Sequence, residues 1–207
     1  MKLAVLDYGI GNLRSAQKAF EHVGAEARLT ADPAEVEAAD AVALPGVGAF
    51  GACVDALVGS GLDRVALGAI AAEMPFIGIC VGMQLLYAGS EESPDHSGLG
   101  VFDSTISLLP PTVKRPQMQW NRLTPTVADH PMFVGLEDPW VYFVHSYFAT
   151  VDADTVATCE YGATVGAAVA RDNVWATQFH PEKSAATGLA ILSNFLRWAE
   201  PRRSTIA

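Results

Sequence analysis

The sequence has few cysteines and few positive charges. Its 207 residues include only three cysteines, at positions 53, 80 and 159. Because an odd and sparse set does not build a disulfide framework, it indicates a reducing compartment, and we expect a cytoplasmic protein. Lys and Arg number 13 against 23 Asp and Glu, which gives a formal net charge of -10. This balance argues against nucleic acid or an anionic membrane as the main partner.

The sequence also lacks long hydrophobic runs. No apolar stretch is long enough to span a bilayer, and the first one, residues 3–6, meets Asp7 too soon to be a signal-peptide core. Neither an internal repeat nor a low-complexity linker is present. Hydrophobic residues nevertheless make up 50% of the chain and charged residues 17%, which argues against disorder. We therefore expect residues 1–207 to form a single globular domain with a full core.

Apolar runs and helical spacings alternate in the first half of the chain. Buried strands are predicted at 2–7, 41–44 and 76–79, and helices over 13–23, after residue 50 and over 62–73. This alternation predicts an α/β fold with a mostly parallel sheet flanked by helices. The second half predicts a smaller, mostly antiparallel sheet and a closing helix over 187–198. Its strands are expected at 101–109, 123–127, 140–151, 155–160 and 164–170, with a final strand at 173–180.

The run at 76–79 ends on Cys80, with glycines at 78 and 82 and a predicted helix over 83–87. A thiol at a tight strand-to-helix turn, with glycines where a Cβ would collide, is the sulfur counterpart of a nucleophile elbow. The positive end of the helix favours thiolate, and the Val81 N–H would point where an oxyanion develops. A structural cysteine explains this stretch equally well, since free cysteine is often buried.

Two further strand ends carry groups that match a thiol nucleophile. The glycine-rich run PGVGAF at 45–50 leaves amides unshielded for a second oxyanion donor, although a plain strand-to-helix turn is the simpler explanation in isolation. His180 ends the final strand, and Glu182 can turn back to orient its ring, although a surface turn is the alternative. Because strand ends in open α/β sheets meet at one crevice, together these groups indicate acyl transfer through a thioester.

Five motifs resemble those of the class I, triad-type glutamine amidotransferases, and among them the glutaminase subunits of imidazole glycerol phosphate synthase. They are DYGIGNL at 7–13, PGVGAF at 45–50, GICVGMQ at 78–84, YFVHSY at 142–147 and QFHPEKS at 178–184. The resemblance covers nearly the whole chain. It implies a flavodoxin-like α/β fold with extra antiparallel strands.

Motif by motif, the resemblance implies a role for each site residue. Cys80 would be the nucleophile, His180 the general base and acid, and Glu182 its orienter. The oxyanion hole would use amides of Val81 and of the loop, Val47 or Gly48. The remaining expected site residues hold the glutamine head group: Gly46, Gln84, Ser146 and Tyr147.

The resemblance also implies the reaction and a partner. L-Glutamine would be hydrolysed to glutamate and ammonia, and we expect neither a cofactor nor a metal. In a heterodimer, a (β/α)8-barrel cyclase subunit would take the ammonia to make imidazole glycerol phosphate and aminoimidazole carboxamide ribotide in histidine biosynthesis. The residues expected to contact this partner are Tyr8, Asn12, Gln119, Trp120, Asn121 and Lys183.

One run departs from the family pattern. In PQMQWN at 116–121, Gln117 and Gln119 stand where the family usually has His and Gly. The expected triad lies elsewhere, so the departure bears on local backbone or on the subunit contact.

Three other interpretations remain open. The chain could be the glutaminase subunit of another synthase, such as the pyridoxal phosphate synthase type, or a stand-alone cysteine hydrolase. A non-catalytic regulatory protein is the third, and the intact Cys80, His180 and Glu182 argue against it.

Overall fold

The computed structural model describes the backbone of residues 1–203 and the side chains of residues 1–200, so the last four residues of the expected 1–207 domain lie outside it. The first part of the chain alternates strand and helix, as predicted. Its elements are β1 (Lys2–Leu6), α1 (Leu13–His22), β2 (Glu26–Thr30), α2 (Pro33–Glu37), β3 (Ala41–Gly46), α3 (Phe50–Ser60), α4 (Leu62–Ala71), β4 (Phe76–Cys80) and α5 (Val81–Gln84).

The second part consists mainly of strands and ends in a long helix. Its elements are β5 (Tyr87–Ser90), β6 (Phe102–Leu108), β7 (Gln117–Arg122), β8 (Thr124–Pro125), β9 (Trp140–His145), β10 (Tyr147–Phe148), β11 (Thr155–Glu160), β12 (Thr164–Arg171), β13 (Val174–Thr177) and α6 (Ala185–Arg203). Two 3-10 turns interrupt it, at Pro131–Phe133 and Pro181–Lys183.

Eight strands form one central sheet in the order β2-β1-β3-β4-β13-β12-β11-β8. The first five are parallel, and β12, β11 and β8 extend the sheet as antiparallel neighbours. β7 and β9 form a separate antiparallel ribbon, and β10, β6 and β5 form a small mixed sheet. The predicted α/β class, a mostly parallel central sheet flanked by helices plus a smaller antiparallel sheet, is confirmed.

The two central strands are buried at every position, β3 with the sequence ALPG at its end and β4 with FIGIC. Continuous apolar strands of this kind require cover on both faces of a parallel sheet. α6 supplies part of that cover, because Phe195 and Trp198 pack on Trp175 of β13 with ring centroids 5.6 and 4.6 Å apart. One contiguous apolar core therefore runs through both parts of the chain.

The predicted helix over 83–87 is wrong beyond Gln84. Tyr87 already begins β5, which pairs with β6 and buries the Tyr87 ring against Phe102 at a centroid distance of 5.0 Å. The apolar residues after Cys80 satisfy helical spacing and strand burial alike, so tertiary pairing decides between them.

Besides β5, two strands were absent from the predictions, β2 and β7. Both carry charged or polar residues on an exposed face, so neither shows the apolar run that marks a buried strand. Cys53 and Cys159 are free and buried, as expected. Among the described residues, no helix is long and apolar enough to cross a membrane.

Candidate active site

Cys80 sits at the end of β4 in a backbone conformation that L-residues rarely adopt. Its φ is 56° and its ψ is -113°, and it leads directly into α5. A Cβ on Gly82 would overlap the carbonyl oxygen of Leu44 and lie 2.8 Å from the carbonyl carbon. A Cβ on Gly78 would lie 2.9 Å from the Gly82 oxygen. The turn is therefore a strained elbow that only glycines at these two positions allow.

His180 lies three residues beyond β13, the strand that pairs with β4. Its Nδ1 is 2.8 Å from Glu182 Oε1, and the two side chains are 2% and 3% exposed. Burial disfavours the charged ring, but hydrogen bonds to Cys80 and Glu182, with their charges, outweigh it and raise the pKa of His180 to about 9. The short contact with Glu182 fixes the orientation of the ring and favours its protonated form.

Ser184 fixes the position of His180, a contact that sequence reasoning did not identify. Its hydroxyl donates to the His180 carbonyl at 2.6 Å and accepts from the Tyr142 N–H at 2.9 Å. The His180 N–H donates in turn to the Tyr142 carbonyl at 3.1 Å. Hydrogen bonds with Tyr142 of β9 thus fix the backbone segment that contains His180.

The glycine-rich loop between β3 and α3 is held from several sides. The Tyr8 hydroxyl donates to the Pro45 carbonyl at 2.8 Å, and the Cys53 thiol donates to the Val47 carbonyl at 3.3 Å. The Phe50 N–H at the start of α3 donates to Glu92 Oε2 at 2.8 Å. Gly48 has a φ of 94°, a conformation that favours glycine.

These strand ends surround one cavity of about 430 Å³. It brings together most of the predicted site residues: Cys80, Val81, Val47, Gly48, Gln84, Ser146, Tyr147 and His180. Gly46 lies beside it and pairs with Cys80 across β3 and β4. Sequence reasoning missed Glu92 and His145 in the lining. Glu92 comes from the predicted polar loop, whose place in the fold no local signal indicated.

The side-chain amide nitrogen of Gln84 already donates two hydrogen bonds within the protein. Its Nε2 donates to the Tyr147 carbonyl at 3.0 Å and to Gln178 Oε1 at 3.0 Å. Gln178, fully buried, places its own Nε2 3.9 Å from the Cys80 sulfur. Gln178 is therefore a further site residue, and Gln84 supports the pocket through it.

Five of the six expected partner contacts lie at or near the surface by the pocket. Trp120 is 46% exposed on β7, Gln119 and Lys183 are exposed, and Asn12 and Asn121 are half-buried. Tyr8 differs, because it is only 5% exposed and its hydroxyl is bound to Pro45. Its side chain supports the loop, and its contact with a partner stays a prediction.

A family model described as glutamine amidotransferase class-I matches residues 4–198. A relative from Methanothermobacter thermautotrophicus, named imidazole glycerol phosphate synthase subunit HisH, is 48% identical, and the aligned region covers 94% of this chain and 97% of the relative. A relative of the same name from Salinibacter ruber is 48% identical and covers 92% of each chain. A crystal structure titled glutamine amidotransferase is similar in fold, with a TM-score of 0.75 at 19% identity over 96% of this chain and 98% of that one.

Proposed function

The chain belongs to the class-I glutamine amidotransferases, and from this premise we propose that it is the glutaminase subunit of an imidazole glycerol phosphate synthase. The observation that carries the proposal is the strained Cys80 elbow beside the buried His180–Glu182 pair. The names of relatives that are 48% identical over nearly the whole chain support the choice of synthase.

The first half of the reaction forms a thioester. In the proposed mechanism, the protonated His180 ring pairs with a Cys80 thiolate, and the sulfur attacks the carboxamide carbon of glutamine. The resulting oxyanion would accept hydrogen bonds from the Val81 N–H and from an amide of the loop at Val47 or Gly48. His180 then gives its Nε2 proton to the leaving nitrogen, the C–N bond breaks, and ammonia departs.

The second half returns the enzyme to its starting state. The neutral His180 ring takes a proton from water as the water oxygen attacks the thioester carbon. The C–S bond breaks, glutamate leaves, and the thiolate and imidazolium are restored. Glu182 keeps Nδ1 protonated throughout, so that the other ring nitrogen always faces the reacting atoms.

The charges around the cavity fit a free amino acid. Glu92 and Lys183 both line it, so they offer a carboxylate for the α-ammonium of glutamine and an ammonium for its α-carboxylate. Glu92 uses one oxygen to accept from Phe50, which leaves the other for the substrate. We propose these two residues, together with the predicted backbone of Ser146 and Tyr147, as the substrate-binding set.

The proposed partner is a cyclase subunit that docks over the open side of the pocket. The ribbon beside the pocket exposes three large apolar side chains, Met118 at 62%, Trp120 at 46% and Trp140 at 46%. A contiguous apolar face of this kind is typical of a protein interface. A partner seated there would receive ammonia directly, before water converts it to ammonium.

Steady-state glutamine hydrolysis tests the proposal in three steps: by the isolated chain, with the cyclase subunit, and with the cyclase subunit plus its phosphoribulosyl aminoimidazole-carboxamide nucleotide. Val47 lies between two glycines, where peptide planes turn at low cost, so docking can complete the oxyanion hole. One missing oxyanion donor costs about a hundred- to a thousandfold in rate, and we expect activation of at least that size. An isolated chain that already runs at the full rate would favour a stand-alone hydrolase.

A further inference from the structure

Three buried polar side chains beside the pocket take no part in the proposed chemistry. Gln117 on β7 and His145 on β9 face each other across the ribbon and are 0% and 6% exposed. The thiol of Cys159 on β11 lies beside the Gln117 amide. The three form a line from the core to the Tyr147 carbonyl at the pocket wall.

With the Gln117 amide oxygen toward His145, the donors and acceptors along this line do not match. His145 Nδ1 is 2.9 Å from the Tyr147 carbonyl oxygen, and His145 Nε2 is 2.9 Å from Gln117 Oε1. Donating to both oxygens would require a buried imidazolium. Burial and the charge of His180 instead lower the pKa of His145 to about 4, against the opposing effect of the Tyr147 bond. The lowered pKa favours a neutral ring at pH 7, while Gln117 Nε2 is buried without a hydrogen bond.

A half-turn of the Gln117 amide removes both conflicts. The oxygen and nitrogen of an amide have nearly the same shape, so the hydrogen-bond network assigns them. After the turn, Gln117 Nε2 donates to the bare Nε2 of His145, whose single proton lies on Nδ1. Gln117 Oε1 then faces Cys159, and burial, which raises the pKa of this thiol to about 12, keeps it protonated as a donor.

We propose that Gln117 is a positioning residue: its amide nitrogen points to His145, fixes the Nδ1–H tautomer, and so holds the Tyr147 carbonyl in the pocket wall. The same carbonyl accepts from Gln84, Gln84 donates to Gln178, and Gln178 directs its N–H at the Cys80 sulfur. With this orientation, each contact along the line pairs a donor with an acceptor.

The orientation has a consequence for substrate binding, which rests on the proposed function. The Tyr147 carbonyl receives two hydrogen bonds, from His145 and Gln84, and has two lone pairs. It therefore offers no acceptor to glutamine. Substrate contacts at this wall fall to the Tyr147 N–H and to Ser146.

The direct test is NMR of the full chain labelled with ¹⁵N-histidine, with the His145→Gln variant used for assignment. At pH 7 we expect a neutral His145 ring with its proton on Nδ1 and a bare Nε2. An imidazolium, or a proton on Nε2, would overturn the proposal. This measurement needs neither substrate nor partner, so it stands even if the proposed function fails.

Kinetics of the chain with its cyclase subunit and nucleotide test the effect on the pocket. Removing a buried donor leaves an acceptor unsatisfied, so we expect Gln117→Leu to lower kcat/KM for glutamine about five- to hundredfold, mainly through KM. Gln117→His, which restores a ring N–H donor, should recover most of the loss.

The matched control for the kinetics is Asn173→Leu. It removes another buried amide, which donates hydrogen bonds to the Ile70 and Met74 carbonyls. Asn173 directly precedes β13, at the end of that strand away from His180. We expect it to lower stability and leave KM unchanged. A wild-type KM in Gln117→Leu, or the same KM change in Asn173→Leu, would refute a positioning role. A wild-type complex without any glutaminase activity would refute the proposed function alone.

Discussion

Replacing Gly82 by alanine tests how tightly the elbow packs on β3. The added Cβ would overlap the Leu44 carbonyl oxygen and lie 2.8 Å from the Leu44 carbon and 3.2 Å from the Pro45 carbon. All three atoms belong to a fully buried central strand, so no side chain can rotate away. The two backbones must separate, next to the pairing of Gly46 with Cys80.

The expected cost follows from that geometry. Overpacking a rigid core costs about 1–3 kcal/mol, and a backbone clash belongs at the upper end of this range. Because the shift displaces Cys80 from His180 by a good part of an ångström, we expect the folded fraction to lose about a hundredfold in glutaminase rate.

Urea denaturation of Gly82→Ala and wild type measures the loss of stability. Glutamine turnover per folded molecule measures the loss of glutaminase rate. Gly68→Ala is the matched control, since Gly68 lies exposed within α4 with nothing near its added Cβ. That variant should be more stable than wild type by about 1 kcal/mol, the difference in helix propensity. If Gly82→Ala were as stable and as active as wild type, the elbow packing described above would be wrong.

Three further predictions concern the ionisable groups. Cys80→Ala should fold normally without glutaminase activity, and a glutamine-mimicking alkylator should label Cys80 while sparing Cys53 and Cys159; mass spectrometry showing even labelling would contradict this. His180→Ala should abolish glutamine turnover. Glu182→Gln should lower the turnover rate on the order of 10⁴-fold and leave it measurable in a coupled glutamate assay, because Glu182 only orients the ring. A more damaged Glu182→Gln than His180→Ala would reverse the roles assigned to the two residues. His145, whose pKa is about 4 when folded and 6.5 when unfolded, binds its proton less readily in the folded chain. Its stabilisation is therefore complete above pH 6.5 and lost toward pH 4, by up to about 3 kcal/mol relative to His145→Gln in urea titrations; equal slopes would show that folding leaves the pKa of His145 unchanged, and a slope of opposite sign would show a charged ring.

The expected triad lay within reach of sequence reasoning because each member follows a recognisable strand. Cys80 ends an apolar run between glycines, and His180 follows the last strand with Glu182 two residues on. Parallel strands bring such ends to one edge of the sheet, so local patterns sufficed. The structure places His180 and Glu182 within 2.8 Å of each other.

Residues that join the site through tertiary contacts gave no such signal. Glu92 caps the N-terminus of α3 across 42 positions, and Gln178 reaches Cys80 across 98. The helix predicted over 83–87 extends into β5 because Leu85, Leu86 and Tyr87 fit either period, and only pairing with β6 makes Tyr87 the start of a strand. Long-range pairing of this kind leaves no periodicity in the sequence.

The position of β13 between β4 and β12 affects how the chain is made. Val174 pairs with Phe76, and almost half of the chain separates them. Until residues 174–177 leave the ribosome, the fully apolar β4 has an unpaired edge, which invites pairing with other chains. Long-range parallel pairing is also slow to form. The nascent protein should therefore depend on holding chaperones late in synthesis, and its thiol should stay without a base until translation is nearly finished.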